Sequence, residues 1–477
     1  RMLNRLEPLL FALFMTVLVW APFPFASNRV WGGAVLAVLL GGLLACWIIL
    51  FMGARVSFVA GVWQTARLPL ALLCLLQCWV LFQCLPLPPA MLGALSPQAL
   101  AWHMDTGWLP LSLDTAATRY HLLLGITYTT AFFLTLALVN SRGRLRTMLQ
   151  VLVFSGTCQA VYGAFMVLSG LELGFFVEKY AGQGAATGTF VNRNHLAGYL
   201  VMCLSAGIGL LLSQLLPVSF NNWNDRFRYW LQLLLSPKIR LRIYLAIMVI
   251  ALVLTRSRMG NVAFFSALVM AGVIYVYASG RFSPRVVAFL VSLVVIDLLI
   301  LGRWFGFDKV VERLERTNPE TEARVWSNAY TWDYLQQFPL TGSGGGSYYG
   351  VFPNFQSPDL VGYYNHAHND YLEFAVELGL PAMLVLLVFV LLALRAAFTV
   401  LRERRGLLYR GTAFCAAMTI CWAAIHSAVD FNLQIPANAV TFVAILGLAF
   451  VARGLPGRAT EIVGEGPRNE VVASNNP

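Results

Sequence analysis

The sequence predicts an all-α, polytopic membrane protein with about twelve transmembrane helices, and three observations carry that prediction. Apolar runs of about 18 or more residues recur along most of the chain. Only 12% of the 477 residues are charged, against 58% hydrophobic, where a soluble domain has about 25% charged. Most of the arginine falls in short loops between the runs, the bias that marks cytoplasmic loops. A mean hydropathy of +0.69 excludes a soluble enzyme with an ordinary surface. The runs are continuous and do not alternate, which excludes a β-barrel. Membrane orientation accounts for the net charge of +11, and no basic stripe or motif points to nucleic acid. Cys46, Cys74, Cys78, Cys84, Cys158, Cys203, Cys415 and Cys421 lie in or beside apolar spans without metal or redox spacing. No internal repeat or cleavable signal peptide is expected.

In chain order, Arg1 and Arg5 precede a first span at roughly Pro8–Pro22, so the N-terminus is expected inside. The second span, roughly Trp31–Met52, ends at Arg55 and Arg67. The third, roughly Leu68–Leu85, leads to a Pro-rich outer loop that runs to Arg119. The fourth, roughly Tyr120–Asn140, ends at inner Arg142, Arg144 and Arg146. The fifth, roughly Leu149–Leu168, opens a Gly-rich outer loop from Gly170 to Asn194. The sixth, roughly Leu196–Leu216, returns to a loop holding Arg226, Arg228, Lys238, Arg240 and Arg242. Thr255–Arg258 joins the seventh, roughly Ile243–Leu254, to the eighth, roughly Met259–Tyr277. The ninth, roughly Val286–Leu301, opens the longest polar segment. The tenth, roughly Leu378–Phe398, ends at Arg402, Arg404, Arg405 and Arg410, and the last two flank an outer loop near Asp430–Asn438. The expected organisation is a membrane part over residues 1–301 with about nine helices, an outer loop over 302–376, a second membrane part over 377–453 with about three helices, and a disordered inner tail over 454–477. No separate soluble domain is expected.

The polar residues that break this pattern are the candidate site. Arg256 and Arg258 stand at an outer helix end, where the loop-charge bias disfavours them and arginine near hydrocarbon is costly. They are either snorkelling anchors or anion ligands, because a guanidinium presents a planar fork that matches phosphate oxygens. Arg193 and His195 belong to Gly188–Tyr199 at the start of the sixth span. A helix N-terminus there offers unpaired N–H groups to a phosphate, and Asn192 or Asn194 as a plain N-cap is compatible with that. Arg324 falls in Glu320–Trp332, whose aromatic spacing predicts an amphipathic helix over the membrane; an ion pair with Glu320 is its plain role. Pro339–Ser347 is Gly-rich but lacks the Gly-Lys-Ser/Thr of a phosphate loop, which leaves a hinge or a close backbone approach to a ligand.

Tyr363–Phe374 holds two of the six histidines, His366 and His368, with Asn369, Asp370 and Tyr371. A metal site lacks a third strong ligand at a typical spacing. A histidine that titrates near pH ~6.5 suits proton removal from a sugar hydroxyl, and a solvated loop histidine is the bland alternative. Glu320, Glu322, Asp370 and Glu373 are the carboxylates at hand to orient it. Inside the spans stand Asp297, and His426 with Asp430 one turn on; such groups are functional candidates by default, with helix packing the alternative for the pair. Proton coupling at Asp297 would suit a transporter, which should also show broken helices and more buried charge.

Gly188–Tyr199, Thr255–Gly260, Arg324–Gly346 and Asn365–Pro381, in that order on twelve spans, resemble the O-antigen ligase and O-antigen polymerase superfamily of bacterial inner-membrane glycosyltransferases. The most specific stretch is His366-Ala367-His368-Asn369-Asp370-Tyr371-Leu372 running into Glu377-Leu378-Gly379-Leu380-Pro381, with Arg324–Trp326, Pro339 and Gly342-Ser343-Gly344 in support. The resemblance covers roughly residues 180–450; the first five spans match in topology alone. It implies a lipid-dependent glycosyltransferase (GT-C-like) fold with a periplasmic loop over the site. It also implies metal-independent, cofactor-free transfer of a glycan from undecaprenyl pyrophosphate to a sugar hydroxyl. Arg258 and Arg324 would hold the pyrophosphate and His368 would act at the acceptor. Arg256, Arg193, His195, His366, Asn369, Asp370 and Tyr371 are the expected substrate-binding residues. The acceptor is a growing O-antigen or exopolysaccharide chain in the reading preferred here, from the long loop and the Asn-Arg-Asn-His segment. Lipid A core (a ligase) or a protein are the alternatives, and a lipid-linked glycan transporter is the alternative of a different class. Implied partners are membrane lipids and a chain-length regulator or other polysaccharide-assembly proteins, with no nucleic acid.

Overall fold

A backbone in hydrocarbon must satisfy its own polar groups, so each long apolar run closes into a helix. The computed structural model describes residues 6–103, 107–179, 182–214, 237–280, 319–358 and 362–457, with 288, 291, 292 and 295 besides. The elements are α1 (Leu6–Trp20), α2 (Val30–Met52), α3 (Ala60–Cys84), α4 (Pro89–Leu95), α5 (Pro97–Trp102), α6 (Thr115–Leu138), α7 (Arg142–Ser169), β1 (Leu173–Gly174), β2 (Val177–Glu178), α8 (Arg193–Leu212), α9 (Pro237–Leu254), α10 (Arg258–Ser279), α11 (Pro319–Gln337), α12 (Tyr348–Val351), α13 (Asp370–Leu378), α14 (Leu380–Glu403), α15 (Leu407–His426) and α16 (Pro436–Gly454). Among the described residues, nine helices are long and apolar enough to cross a membrane: α2, α3, α6, α7, α8, α10, α14, α15 and α16. The chain is therefore a polytopic helical membrane protein. The first and seventh expected spans correspond to the 15-residue α1 and the 18-residue α9. The ninth expected span, with Asp297, and the tail beyond residue 457 lie outside the described residues.

Two boundaries differ from expectation. α3 begins at Ala60 and takes Arg67 and Pro69 into the helix. α7 begins at Arg142, because the Ser141 hydroxyl accepts from the Arg144 N–H and starts the helix there. Arg142, Arg144 and Arg146 thus ride the first turns of a helix instead of forming a loop.

α8 is the axis of the bundle. Its membrane window is 100% buried, against 28% for α2 and α3, and it packs on α7, α9, α10, α15 and α16. α8 and α15 cross where a Cβ on Gly209 would stand 2.3 Å from the Gly411 carbonyl oxygen. Only glycine at both positions lets the backbones come that close, the device by which membrane helices gain dispersion contacts. The site is built at the outer end of this axis.

Over one end of the bundle lies a small second core. It joins Leu87, Leu92, Leu109 and Leu111 from the α3–α6 connection to Tyr334, Phe338, Tyr348, Phe352 and Val376. Tyr334 stacks on Phe355 at 4.7 Å between ring centres, and Tyr348 on Phe352 at 4.8 Å. α11 buries Ser327, Thr331 and Tyr334 and leaves Trp326 and Trp332 exposed. It packs on α13, so it is a wall of this cap.

Candidate active site

The Gly-rich turn after α11 positions α13. Gly342 (φ +66°) and Gly379 (φ +86°) lie back to back, and a Cβ on either would stand 2.2 Å from a backbone oxygen, of Glu377 and Leu340 respectively. Ser343 N–H donates to the Val376 carbonyl at 2.9 Å and Gly344 N–H to that of Glu377 at 3.0 Å. Gln83 joins from α3, donating to the Thr341 and Glu377 carbonyls and accepting from Gly345 N–H. The turn makes its close approach to α13. Glu377 is buried; it accepts from Tyr348 N–H at 3.0 Å, and burial pushes its carboxyl above the usual range.

α13 is capped by Asn369, whose side chain accepts from Leu372 N–H at 3.2 Å. The cap sets the histidines just before it. His366 Nδ1 lies 2.6 Å from Glu373 Oε1, and the other Glu373 oxygen accepts from Ala367 N–H at 2.8 Å. Burial pulls the His366 imidazole down, but the Glu373 carboxylate outweighs it, and the net shift is upward. His368 turns elsewhere: its Nδ1 is 3.5 Å from Asp430 Oδ1, within ion-pair range and beyond good hydrogen-bond length. His368 holds φ +52°, a left-handed conformation that non-glycine residues rarely adopt.

Asp430, between α15 and α16, is the hub. Asn194 Nδ2 donates to it at 2.5 Å, and His195 Nε2 lies 3.8 Å away. Burial raises the Asp430 carboxyl, but His368, His195 and His426 more than offset that and hold it below the usual carboxylate range. Phe431, next in the chain, touches all three outer histidines: it stacks on His366 at 4.2 Å and meets His195 and His368 edge-on at 4.6 and 4.8 Å. His366 and His368 keep 27% and 26% of their side chains exposed, against 6% for His195. The two former face outward, and His195 backs Asp430 from within.

The arginine turn lies on the other side of the α8 N-terminus. The Thr255 hydroxyl accepts from Ser257 N–H at 3.2 Å, and the Ser257 hydroxyl caps α10 by accepting from Gly260 N–H at 3.1 Å. Arg256, at φ +52°, and Arg258 are exposed. Neither guanidinium has a hydrogen-bond or ion-pair partner among the described residues, and neither does that of the half-buried Arg193. A Cβ on Gly260 would come within 2.7 Å of Ala197 Cβ. Ala197 is two residues beyond His195 on α8, so the arginine turn packs on the same end of that helix as the histidine cluster.

Several expectations meet a different geometry. Asn369, Asp370 and Tyr371, expected as substrate ligands, each have a side-chain polar atom bonded to protein. Asn369 is the cap. Asp370 is 1% exposed and accepts from the Ser427 hydroxyl at 2.9 Å, and burial raises its carboxyl well above the usual range. The Tyr371 hydroxyl donates to the Ala424 carbonyl at 2.7 Å. His195 is likewise enclosed and meets Asp430 instead of the outside. The carboxylate at His368 is Asp430, not Glu373 or Asp370, because Glu373 is taken by His366. The side chains of Glu320, Glu322 and Arg324 lie outside the described residues, although all three fall on α11. His366, His368 and Asp370 point to three different partners, and among the described residues no group of three or more His, Cys, Asp or Glu is arranged to hold a metal ion. Asp430 was visible as an ionisable group at membrane depth; nothing in the chain said that it meets His368.

A search of curated proteins found no match. A scan of protein families matched residues 243–387 to the family described as O-antigen ligase (Wzy_C). The matched stretch runs from the arginine turn through α11 to His366, His368 and Glu373; Arg193, His195 and Asp430 lie outside it. Members of this family are O-antigen ligases and polymerases, membrane enzymes that transfer glycans. The stretch of this multi-pass membrane protein that carries Arg256, Arg258 and the histidine segment is thus similar to the O-antigen ligase family.

Proposed function

We propose that the protein is a bacterial inner-membrane glycosyltransferase that moves a glycan from undecaprenyl pyrophosphate to a sugar hydroxyl at the periplasmic face, polymerising repeat units. The observation that carries this is a pair of arginines without a partner among the described residues, on a turn packed against the N-terminal end of the helix whose Asn194 and His195 meet the same Asp430 as His368. Arg256 and Arg258, with Arg193 and with Arg324 from α11, hold the pyrophosphate. Fixed guanidinium groups in a site poor in water stabilise the charge that develops on the leaving phosphate. His368 has Nδ1 toward Asp430, which leaves Nε2 as the base for the acceptor hydroxyl. The acceptor oxygen bonds to the anomeric carbon as the bond from that carbon to the phosphate oxygen breaks. The hydroxyl proton passes to His368, and the electron pair leaves with the lipid pyrophosphate. Transfer to lipid A core is the second reading, favoured by the ligase description of the matched family.

The test is reconstitution of the purified protein with lipid-linked repeat units, with and without lipid A core and with EDTA. Chain extension without core supports polymerisation, and core-dependent transfer supports ligation. Absence of transfer to sugar, core or protein acceptors would overturn the enzyme reading in favour of a transporter. Loss of transfer in EDTA would overturn metal independence.

A further inference from the structure

The hairpin between α7 and α8 has a tip that water does not explain. Gly174 pairs with Val177, which leaves Phe175 and Phe176 as the two turn residues. Both have positive φ, +45° and +65°. Such turns take Asn and Gly because those residues adopt the conformation without strain. Here two aromatics adopt it, and Phe176 is 89% exposed.

The surroundings say what covers it. Val161, Phe165 and Leu168 form an exposed apolar stripe at helical spacing on α7, and Leu171, Phe176 and Val177 continue it beyond the helix end. α7 is a membrane span, so its exposed apolar stripe faces acyl chains and the hairpin extends that face. Its level is fixed as well. Phe175 packs edge-on against Phe25 at 5.3 Å, and the Arg29 guanidinium lies over Phe25 at 5.7 Å. These residues sit at the outer end of α2, beside exposed Trp31, the kind of residue that marks the membrane–water interface. Lys179, just after the hairpin, turns inward: it is buried and donates to Glu172 at 2.6 Å and to the Gly182 and Ala185 carbonyls at 2.9 Å, while Glu178 stays exposed at the hairpin's base.

The geometry points to a membrane anchor: the Leu173–Glu178 hairpin dips its Phe176 tip into the outer leaflet and thereby holds the 182–190 loop against Arg256. The hold is direct. Glu172, just before the hairpin, accepts from Gly184 N–H at 2.8 Å. A Cβ on Gly184 would stand 3.7 Å from Arg256 Nη1, and Ala186 N–H donates to the Leu254 carbonyl at 2.9 Å. Burial of the tip in acyl chains offsets the strain of two aromatics at positive φ. The inference stands independently of the transferase reading.

The test places the photocrosslinker p-benzoyl-phenylalanine at position 176, and in a second protein at Tyr363, an equally exposed cap residue. Each full-length protein is reconstituted in phosphatidylethanolamine–phosphatidylglycerol vesicles, irradiated and analysed by mass. A phospholipid adduct at 176 and none at 363 is expected; no adduct at 176, or equal adducts at both, overturns the anchor. A second measurement follows amide exchange across residues 182–190. Phe176→Asp should raise it by about threefold or more while Phe176→Leu leaves it unchanged. Unchanged exchange in Phe176→Asp would overturn the link from anchor to loop.

Discussion

Arginines at the two ends of the bundle differ in how they are engaged. At the end opposite the candidate site, Arg144, Arg404 and Arg410 are held by structure. Arg144 grips both Glu7 oxygens, donates to the Leu138 carbonyl at 2.9 Å and lies over the Phe11 ring at 4.9 Å. Arg404 donates to the carbonyls of Arg453 and Leu455 at 2.5 and 2.6 Å, and Arg410 binds the Ser279 hydroxyl and lies 5.0 Å over Tyr275. On the outer face, Arg256 and Arg258 extend from a turn whose own polar groups are satisfied, yet their guanidinium groups meet nothing among the described residues. A fixed cation with no internal partner beside hydrocarbon is costly unless it serves a ligand. The positive-inside rule explains where the inner arginines are; the proposed pyrophosphate ligand would explain the outer pair.

The largest effect should come from breaking that contrast directly. Arg256→Ala with Arg258→Ala should cut glycan transfer by at least about 10³-fold, since removal of one such charge-stabilising donor costs about 10²–10³. Expression and melting temperature should stay near wild type. Arg144→Ala should do the reverse: it strands Glu7, lowers the melting temperature in detergent and leaves turnover per folded molecule within about twofold. Equal turnover losses on both faces would erase the distinction.

The second effect separates the two histidines. His368→Gln should lower turnover by about 10²–10³, the range for loss of a positioned base. His366→Gln should cost about tenfold or less, because its Nδ1 serves Glu373. Asp430→Asn should lower turnover in the same direction, since it removes the carboxylate that faces His368 Nδ1. Unchanged turnover would detach Asp430 from the base.

The third is a stability effect confined to the cap. The His366 pKa lies above its ordinary value because of Glu373. The pair's contribution is therefore complete below about pH 6.5 and fades as pH rises through the raised value. The melting-temperature gap between wild type and Glu373→Gln should be widest near about pH 6 and narrower near about pH 9. A gap that does not change with pH would show that Glu373 acts through Ala367 N–H alone.

How much of this was readable in the chain follows from the range of each interaction. The spans were, because hydrocarbon imposes helix on any long apolar run and loop arginines carry direction. The outer arginines and the histidine pair were, because ionisable groups in an apolar chain stand out. The pairing inside the site was not. Asp430 lies far beyond His368 in the chain, and Glu373 was equally well placed on paper to orient either histidine. The Gly-rich turn was legible as a close approach but not as an approach to Gly379, since neither glycine names its partner. The cap core was missed for the same reason: Leu87 to Leu111 reads as a Pro-rich connection until Tyr334 and Phe338 are laid on it.

The smallest effect gives the finest comparison, because two serines do the same local job on opposite faces. Ser141 caps α7 on the inner side by accepting from Arg144 N–H, and Ser257 caps α10 on the outer side by accepting from Gly260 N–H. Alanine at either should cost about 1 kcal/mol, the usual value of a serine cap, read as similar falls in melting temperature. Only Ser257→Ala should also raise the KM for the lipid-linked donor, by a few-fold, because that cap fixes the turn from which Arg256 and Arg258 project. In Ser141→Ala the freed helix end bears Arg144, which Glu7 holds, so the donor KM should not move. Parallel shifts in both variants would mean that the outer turn is only another helix end, and that the arginines on it were never placed for a ligand.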